Sequence, residues 1–320
     1  MTAGAEAGYS NVFIFGDSLS DSGNNAVVLG PNITPVPISG NSFIPVFPYA
    51  SGHYTNDQVW AQSFALALGL SAAPSLLGGT DYAFGGARTG PFNPSAFPPS
   101  LETQAVSFLD RHAGRAPSDA LYVVAGGGND ARDALTRIAG CGGSRGCVQG
   151  VIESTAMTYA TNIETIVGQL EAAGAKRIVV WDTPDLGETP AITSLGASPI
   201  ATLVAYDMNA ALMGAISGDP DVKIFDLFAL VDEVIADKGA FGIDLSNVTD
   251  ACAANFPPNV PQAQTCAPSQ YFFWDGIHPT SAGQEILGEA MLRFVPEPNT
   301  VALLGASLAA LGLARRRRLA

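Results

Sequence analysis

The sequence predicts an α/β protein built around a doubly wound parallel sheet. Apolar runs of strand length alternate along the chain with longer segments of helical pattern, which is typical of a parallel sheet with helices on both faces. Three of these runs are apolar on both faces, as expected for strands covered on both sides. With 320 residues, of which 47% are hydrophobic, the chain is long enough to bury a large core.

The predicted elements follow this alternation in order. The strands are expected at residues 12–15, 81–83 (a weaker run), 121–125, 178–181 and 222–225, and the helices at 58–68, 103–112, 151–173 and 200–216. A last helix is expected near Ser281, because Ser281 and Gln284 have the spacing of an N-terminal capping box. Residues 30–56 and 87–100 are rich in loop-forming residues and are expected to lie over the mouth of a site.

Glycine follows three of the predicted strands, at the edge of a parallel sheet where ligands bind. The first strand leads into Gly16-Asp17-Ser18, the second into Gly85-Gly86, and the third into "GGGND" at 126–130. Glycines allow a ligand to approach the backbone closely. Ser18 is therefore a candidate nucleophile, although Gly, Asp and Ser are also ordinary turn residues.

A serine nucleophile needs a base, and the chain has only three histidines. His53 lies in a polar loop, where a surface or bracing role is expected, and His112 lies near the end of a helical pattern. His278 follows Asp275 by three residues in "YFFWDGIHPTSAGQEIL". A carboxylate at that spacing can bind one imidazole nitrogen while the other faces outward, so we predict that Asp275 and His278 act together.

Four segments, "FGDSLSDSGN", "YAFGGA", "GGGND" and "DGIHPT", resemble in this order the four sequence blocks of the GDSL, or SGNH, hydrolase family of esterases and lipases. "VVWDTPDLGETP" and "GHYTND" are similar to further segments of that family. The resemblance covers residues 10–294. It implies the SGNH hydrolase fold, a flavodoxin-like three-layer α/β/α sandwich with a central parallel sheet of about five strands.

The same resemblance implies a serine carboxyl-ester hydrolase that works through an acyl-enzyme. Ser18 would be the nucleophile, His278 the general base and Asp275 the group that orients it. The backbone N–H groups of Ser18 and Gly86 and the Asn129 side-chain amide would form the oxyanion hole, with no metal or organic cofactor needed. An acyltransferase or a polysaccharide O-deacetylase could use the same residues, and a non-catalytic surface or matrix protein is a further alternative.

The substrate is less well defined by the sequence. Aromatic residues in the two loop stretches, namely Phe43, Phe47, Tyr49, Phe92 and Phe97, could line an acyl pocket or simply pack the loops down. A protein at the cell surface or in the matrix could act on a lipid ester or on an acetylated polysaccharide.

Nucleic-acid and nucleotide partners are disfavoured. The formal net charge is −14, and no basic patch with interleaved aromatic residues is present. "GGGNDA" at 126–131 satisfies a loose dinucleotide-binding pattern, but no strand ends in an acid before Glu153, as that pattern requires.

The four cysteines form two local pairs, Cys141 with Cys147 and Cys252 with Cys266. Neither pair has the spacing or the neighbouring histidines of a zinc site. Two small disulfide loops are expected, which would place the protein in an oxidising compartment. Buried free thiols are the alternative.

The C-terminal "VPEPNTVALLGASLAALGLARRRRLA" places 15 weakly polar or apolar residues, 300–314, before four arginines. This is short for a full membrane span of about 20 residues, although the arginines suit a cytoplasmic face. A frayed C-terminal helix is the alternative. The segment resembles the PEP-CTERM sorting tail of Gram-negative bacteria, which implies inner-membrane anchoring of the precursor, exosortase processing, and delivery to the cell surface or extracellular matrix.

These observations divide the chain into an N-terminal extension (1–9), a hydrolase domain (10–294) and a sorting tail (295–320). The first ten residues have neither the basic start nor the apolar core of a signal peptide. Because an exported protein needs one, we expect the true start to lie upstream or to have been replaced, unless the tail assignment is wrong.

Overall fold

The computed structural model describes residues 8–29, 52–239, 241–243, 245–253 and 266–295. Its central sheet contains four parallel strands in the order β1 (Val12–Gly16), β2 (Leu121–Ala125), β3 (Ile178–Trp181) and β4 (Val222–Phe225). Each strand agrees with its predicted range to within one residue, because an apolar run covered on both faces is an unambiguous strand signal.

The weak run at 81–83 forms an irregular fifth position beside β1. The Tyr82 N–H donates to the Ile14 carbonyl at 2.7 Å and the Phe84 N–H to the Gly16 carbonyl at 3.1 Å. Only Asp81 forms a parallel bridge, so the segment is too short to count as a strand. This segment lies on one side of β1 and β2 lies on the other. The order in which strands are added to the sheet therefore reverses at β1, as in flavodoxin-like folds.

Helices cover both faces of the sheet. In chain order they are α1 (Asn24–Leu29), α2 (Trp60–Ala67), α3 (Leu101–Arg111), α4 (Gly128–Ala139), α5 (Arg145–Ala172), α6 (Pro190–Thr193), α7 (Ser198–Ile216), α8 (Leu227–Ala236) and α9 (Ser281–Phe294). One core joins Phe15 and Val180 of the strands to α3, α5 and α7, and the other joins Ile14 and Trp181 to α2, α8 and α9. The protein is therefore a three-layer α/β/α sandwich.

Helix α7 is the one helix of the described residues long and apolar enough to cross a membrane. It instead packs in the first core, where Val204, Met208 and Leu212 are fully buried or nearly so. Its buried face packs against α5, whereas Leu203, Tyr206 and Met213 on its other face are exposed.

A second, two-stranded parallel sheet pairs β5 (Asn247–Ala251) with β6 (Tyr271–Phe273). Both predicted disulfides are present, Cys141–Cys147 between α4 and α5 and Cys252–Cys266 beside this small sheet, so the free-thiol alternative is wrong.

The predicted capping box is wrong, although α9 begins at Ser281 as expected. The N-cap is Thr280, whose hydroxyl accepts the Gly283 N–H at 3.1 Å. Gln284 instead accepts the Trp60 N–H at 2.9 Å, so its side chain joins α9 to α2.

Candidate active site

Ser18 lies on a tight turn directly after β1. The Asp17 carbonyl accepts the N–H groups of Ser20 and Asp21, and its carboxylate accepts the Leu19 N–H at 3.0 Å. A Cβ at Gly16 would come within 2.8 Å of the Ala125 carbonyl, so only glycine allows the strand to turn this close to β2. The turn therefore holds Ser18 at the carboxyl edge of the sheet, and Asp17 braces it.

His278 reaches Ser18 from the far end of the chain. Strand β6 leads into a turn in which the Asp275 Oδ1 accepts the N–H groups of Ile277 at 2.8 Å and His278 at 2.7 Å. The other oxygen, Oδ2, lies 2.7 Å from His278 Nδ1, and His278 Nε2 lies 2.7 Å from Ser18 Oγ. A carboxylate at Nδ1 favours the tautomer that leaves Nε2 free to accept the serine proton.

These three side chains are almost completely shielded from water, with 6% of Ser18, 1% of His278 and none of Asp275 exposed. Among the described histidines, His278 is the one that contacts Ser18. His112 packs instead against Phe13, near the amino end of β1, and its Nδ1 donates to the Phe108 carbonyl at 2.8 Å. The structure thus brings together the three residues that were predicted to act together.

The predicted oxyanion donors lie on the two neighbouring loops. Asn129 is in the first turn of α4, where its Nδ2 donates to the Ala87 carbonyl at 3.0 Å and lies 3.5 Å from Asp17 Oδ2. An amide nitrogen carries two hydrogens, and the long bond to Asp17 is the one that an oxyanion would replace. Gly86 has a φ of 82°, in the left-handed region that glycine adopts readily. Asn129 and Gly86 both line the same cleft.

Buried acids surround the serine turn. Burial raises the pKa of Asp17 to about 6, against the lowering effects of the Leu19 N–H, His278 and Arg132. Arg132 lies one turn along α4, with its guanidinium 3.5 Å from the Asn129 Oδ1. Burial also lowers the pKa of Arg132. The site therefore combines a strongly desolvated carboxylate with a cation near the amide that is expected to bind the oxyanion.

The cleft has a volume of about 1160 Å³ and runs from Gly86 and Asn129 along α4 to α6 and the start of α7. Along α4, α6 and the start of α7 the lining forms an aliphatic wall, interrupted by Asp133, Thr136 and Ser194, from Leu135, Ile138, Ala139, Ile192, Leu195, Ala197 and Ile200. This wall was not predicted from the sequence, because an apolar binding surface has no fixed spacing. Tyr54 and Arg132 were also missed, although Tyr54 lies within the quoted "GHYTND" segment.

The aromatic residues predicted to bind substrate are divided. Phe97 lines the cleft and packs edge-on against Phe84. Phe92 is not part of this lining, and its N–H donates to the Glu102 carboxylate at 2.8 Å, so its role in substrate binding stays a prediction. Phe43, Phe47 and Tyr49 lie outside the described residues.

The fold and the site together place the chain in a class of α/β proteins. Members of this class carry a hydrogen-bonded serine, histidine and aspartate at the carboxyl edge of a parallel sheet. Residues 12–291 match the GDSL-like Lipase/Acylhydrolase family. The chain is therefore a member of that family. Residues 294–318 match the PEP-CTERM protein-sorting motif, which indicates export in a Gram-negative bacterium and processing by an exosortase.

Several known proteins are similar to this chain. Esterase EstA of Pseudomonas aeruginosa is 27% identical over 332 residues, covering 94% of this chain and 49% of EstA. Lipase 1 of Photorhabdus luminescens is 31% identical over 185 residues, covering 58% of this chain and 24% of that protein. The chain thus spans about half or less of the length of these curated relatives. A solved structure of Est24, a carbohydrate acetylesterase from Sinorhizobium meliloti, aligns with a TM-score of 0.47 and 16% identity over 92% of this chain and 99% of Est24.

Proposed function

We propose that the protein is a serine carboxyl-ester hydrolase with Ser18 as nucleophile, His278 as general base and Asp275 as the residue that orients the base. The observation that carries this proposal is the buried relay from Ser18 Oγ to His278 Nε2 and from His278 Nδ1 to Asp275, with 2.7 Å at each step. A purely structural role does not require a hydroxyl, an imidazole and a carboxylate to be aligned in this order at the edge of a sheet.

The first half of the reaction forms an acyl-enzyme. Ser18 Oγ attacks the ester carbonyl while its proton passes to His278 Nε2, and the Asp275 carboxylate stabilises the imidazolium. The tetrahedral oxyanion is bound by the backbone N–H groups of Ser18 and Gly86 and by the Asn129 amide. Each such donor contributes about 3 kcal/mol to the stabilisation of the transition state. His278 then gives its proton to the departing alcohol.

The second half releases the acid. A water molecule takes the place of the alcohol and gives a proton to His278 Nε2 as it attacks the acyl carbonyl. The second tetrahedral intermediate collapses, His278 returns the proton to Ser18 Oγ, and the carboxylic acid leaves. Apart from the ester itself, the proposed reaction uses only groups of the protein and water.

The aliphatic wall of the cleft favours an acyl chain longer than acetate. An acetyl group would occupy only a small part of about 1160 Å³. Each additional methylene that is buried contributes about 0.8 kcal/mol. Phe97, Leu135 and Ile192 lie along this path. These features support an esterase or lipase of medium acyl chains over an O-deacetylase of polysaccharides.

The location of the enzyme is also part of the proposal. Residues 10–294 form the hydrolase domain, preceded by an extension at 1–9 and followed by the tail at 295–320. Before processing, residues 300–314 of the tail hold the precursor transiently in the inner membrane, and the released domain then acts at the cell surface or in the extracellular matrix. The net charge of −14 argues against nucleic acid as a partner.

Kinetics with p-nitrophenyl esters from acetate to palmitate test this proposal. We expect the wild-type protein to show its highest kcat/KM at a medium chain length, and Ser18→Ala to lower kcat by about 10⁴-fold or more. Ser118→Ala, an exposed serine in the loop before β2, is the matched control and should keep full activity. Substantial turnover by Ser18→Ala, with the fold intact by circular dichroism, would refute the assignment.

A further inference from the structure

The two peptide units on either side of Gly85 are held by side chains that take no part in the proposed chemistry. The Gly85 N–H donates to Asp21 Oδ2 at 2.9 Å, and the Gly85 carbonyl accepts from Asn25 Nδ2 at 3.0 Å. Asp21 and Asn25 follow Ser18 by three and seven residues, and both are buried. The loop that carries Gly86 is therefore tied directly to the segment that carries the nucleophile.

The bond from Asn25 determines where the Gly86 N–H points. The Gly85 carbonyl and the Gly86 N–H belong to one planar trans peptide, in which the C=O and N–H vectors point in opposite directions. When Asn25 holds the carbonyl oxygen on one side, the Gly86 N–H must face the other side. Without this bond the unit could rotate easily, because Gly86 has a φ of 82° and carries no side chain to resist rotation.

Tyr54 connects this peptide to the base. Its hydroxyl accepts the second Asn25 Nδ2 hydrogen at 2.6 Å, and its fully buried ring lies 5.4 Å from the His278 ring, centroid to centroid. A Cβ at Gly85 would come within 2.3 Å of the Tyr54 ring, so the loop packs directly on it. The ring of Tyr54 thus lies between the Gly85 backbone and the catalytic imidazole.

The Asn25 side chain uses both of its hydrogen-bond donors but not its acceptor. Both Nδ2 hydrogens are engaged, whereas the buried Oδ1 has no hydrogen-bond partner among the described residues. A buried acceptor without a partner is costly and uncommon in proteins. The two donated bonds therefore offset the cost of the unpaired oxygen.

Asp21 holds several backbone donors at once. Its carboxylate accepts the N–H groups of Gly23 at 2.9 Å and Asn24 at 2.7 Å, at the start of α1, in addition to that of Gly85. One buried side chain therefore sets the distance between the start of α1, which carries Asn25, and the glycine loop.

We infer that Asp21, Asn25 and Tyr54 form a positioning clamp. This clamp orients the Gly86 N–H as an oxyanion donor and fixes its position relative to the His278 ring. This inference rests on the proposed hydrolase function and adds to it three positioning residues, none of which touches the reacting atoms. Its consequence is specific: loss of the clamp should weaken binding of the oxyanion while leaving binding of the ester in its ground state almost unchanged.

The test compares Asn25→Asp with Tyr54→Phe. Asn25→Asp keeps the size of the side chain but replaces the donor to the Gly85 carbonyl with an acceptor, and Tyr54→Phe keeps the ring against His278 and removes only the hydroxyl. The measurements are kcat and KM for p-nitrophenyl butyrate and the Ki of an alkyl trifluoromethyl ketone, which forms an oxyanion on the serine. Tyr122→Phe is the matched control, since that buried tyrosine donates to the Pro117 carbonyl at the amino end of β2.

We expect Asn25→Asp to lower kcat by about 10²-fold and to raise the Ki of the trifluoromethyl ketone by about 10²-fold. KM should change less than threefold. For Tyr54→Phe we expect a loss of three- to tenfold in the same two quantities, and for Tyr122→Phe no change in either. If Asn25→Asp does not fold, Tyr54→Phe decides alone. Unchanged ketone affinity in folded Tyr54→Phe and Asn25→Asp, or a loss confined to KM, would overturn the clamp.

Failure of the clamp and failure of the proposed function give different results. If Ser18→Ala remains active, the proposed function is wrong whatever the clamp variants do. If Ser18→Ala is inactive and the clamp variants bind the ketone normally, the hydrolase proposal stands and only the clamp is refuted.

Discussion

The two sides of the cleft are built in different ways. On the side of Ser18, buried polar side chains hold the backbone: Asp17 holds the serine turn, Asp21 the glycine loop and Asp275 the histidine turn. The aliphatic wall along α4, α6 and α7 is instead apolar and partly exposed to solvent, as in Leu135 and in Leu195, which is 76% exposed.

This difference follows from what each side has to do. Bond making and breaking needs donors and acceptors fixed to within a fraction of an ångström, and carboxylates that bind several backbone N–H groups provide such rigidity. An acyl chain requires only an apolar surface of sufficient length, which many sequences can supply. We therefore expect substitutions on the side of Ser18 to reduce turnover and substitutions on the wall to change substrate preference.

The largest effect is expected from Asp275→Asn. The asparagine Oδ1 can still accept the backbone N–H groups of Ile277 and His278, but its amide would present a donor to His278 Nδ1 and favour the wrong tautomer. We expect kcat to fall by about 10⁴-fold with little change in fold or KM. Steady-state kinetics with p-nitrophenyl butyrate check this, and a decrease of less than tenfold would contradict the proposed role of Asp275.

Asn129→Ala should have the next largest effect. Removal of one oxyanion donor is expected to lower kcat by about 10²- to 10³-fold, with KM nearly unchanged. Asn247→Ala on the small second sheet serves as a control and should be neutral in the same assay. If Asn129→Ala instead raised KM and preserved kcat, the amide would be binding the ground-state substrate.

The buried acids on the side of Ser18 predict an unusual pH dependence of stability. Burial raises the pKa of Asp17 and of Asp21 to about 6, and burial raises the pKa of Asp81 well above its usual range. In the interval between the unfolded-state and folded-state pKa values the folded protein binds more protons than the unfolded chain. The free energy of unfolding should therefore fall as pH rises from about 4 to 7, by about 3 kcal/mol for each of Asp17 and Asp21, with a further fall from Asp81.

Urea unfolding at a series of pH values measures this dependence, and two variants localise it. Asp81→Asn should reduce the slope between pH 4 and 7, because Asp81 would no longer titrate. Asp133→Asn, at an exposed residue beside the cleft wall, should leave the slope unchanged. Stability that increases with pH over this interval would contradict the account.

The smallest effect is expected from a substitution in the aliphatic wall that narrows the cleft. Leu135→Trp places a larger ring in the proposed acyl path and should lower kcat/KM for p-nitrophenyl decanoate by about tenfold, while the acetate ester is hydrolysed normally. Leu66→Trp, at an exposed position on α2, is the control. An equal loss for both esters would show that the wall does not select the acyl chain.

The sequence predicted best those parts of the molecule that have strict requirements. The strands could be identified because burial on both faces leaves a continuous apolar run, and Ser18, Asp275 and His278 because their residue types and local spacing are limited by chemistry. Helices α4 and α8 were not predicted. The first begins with Gly-Asn-Asp, which are poor helix formers, and the second is too uniformly apolar to show a helical period.

Other features could not be read from the sequence at all. The bond between Gln284 and Trp60 joins helices that are more than 200 residues apart, and local spacing suggested a cap instead. The wall of α6 and α7 is defined only after folding, since its residues share nothing but apolar character. The contacts of Asn25 and Tyr54 with Gly85 likewise depend on three loops that meet at the edge of the sheet.

The central claim is that Ser18 is the attacking group, and covalent labelling tests it directly. A p-nitrophenyl alkylphosphonate should release one equivalent of nitrophenol per protein and inactivate it. Peptide mass spectrometry should then find the phosphonyl group on the Ser18 peptide, and His278→Ala should slow the labelling strongly. A label on another residue, or no label on a protein that hydrolyses esters, would contradict the account.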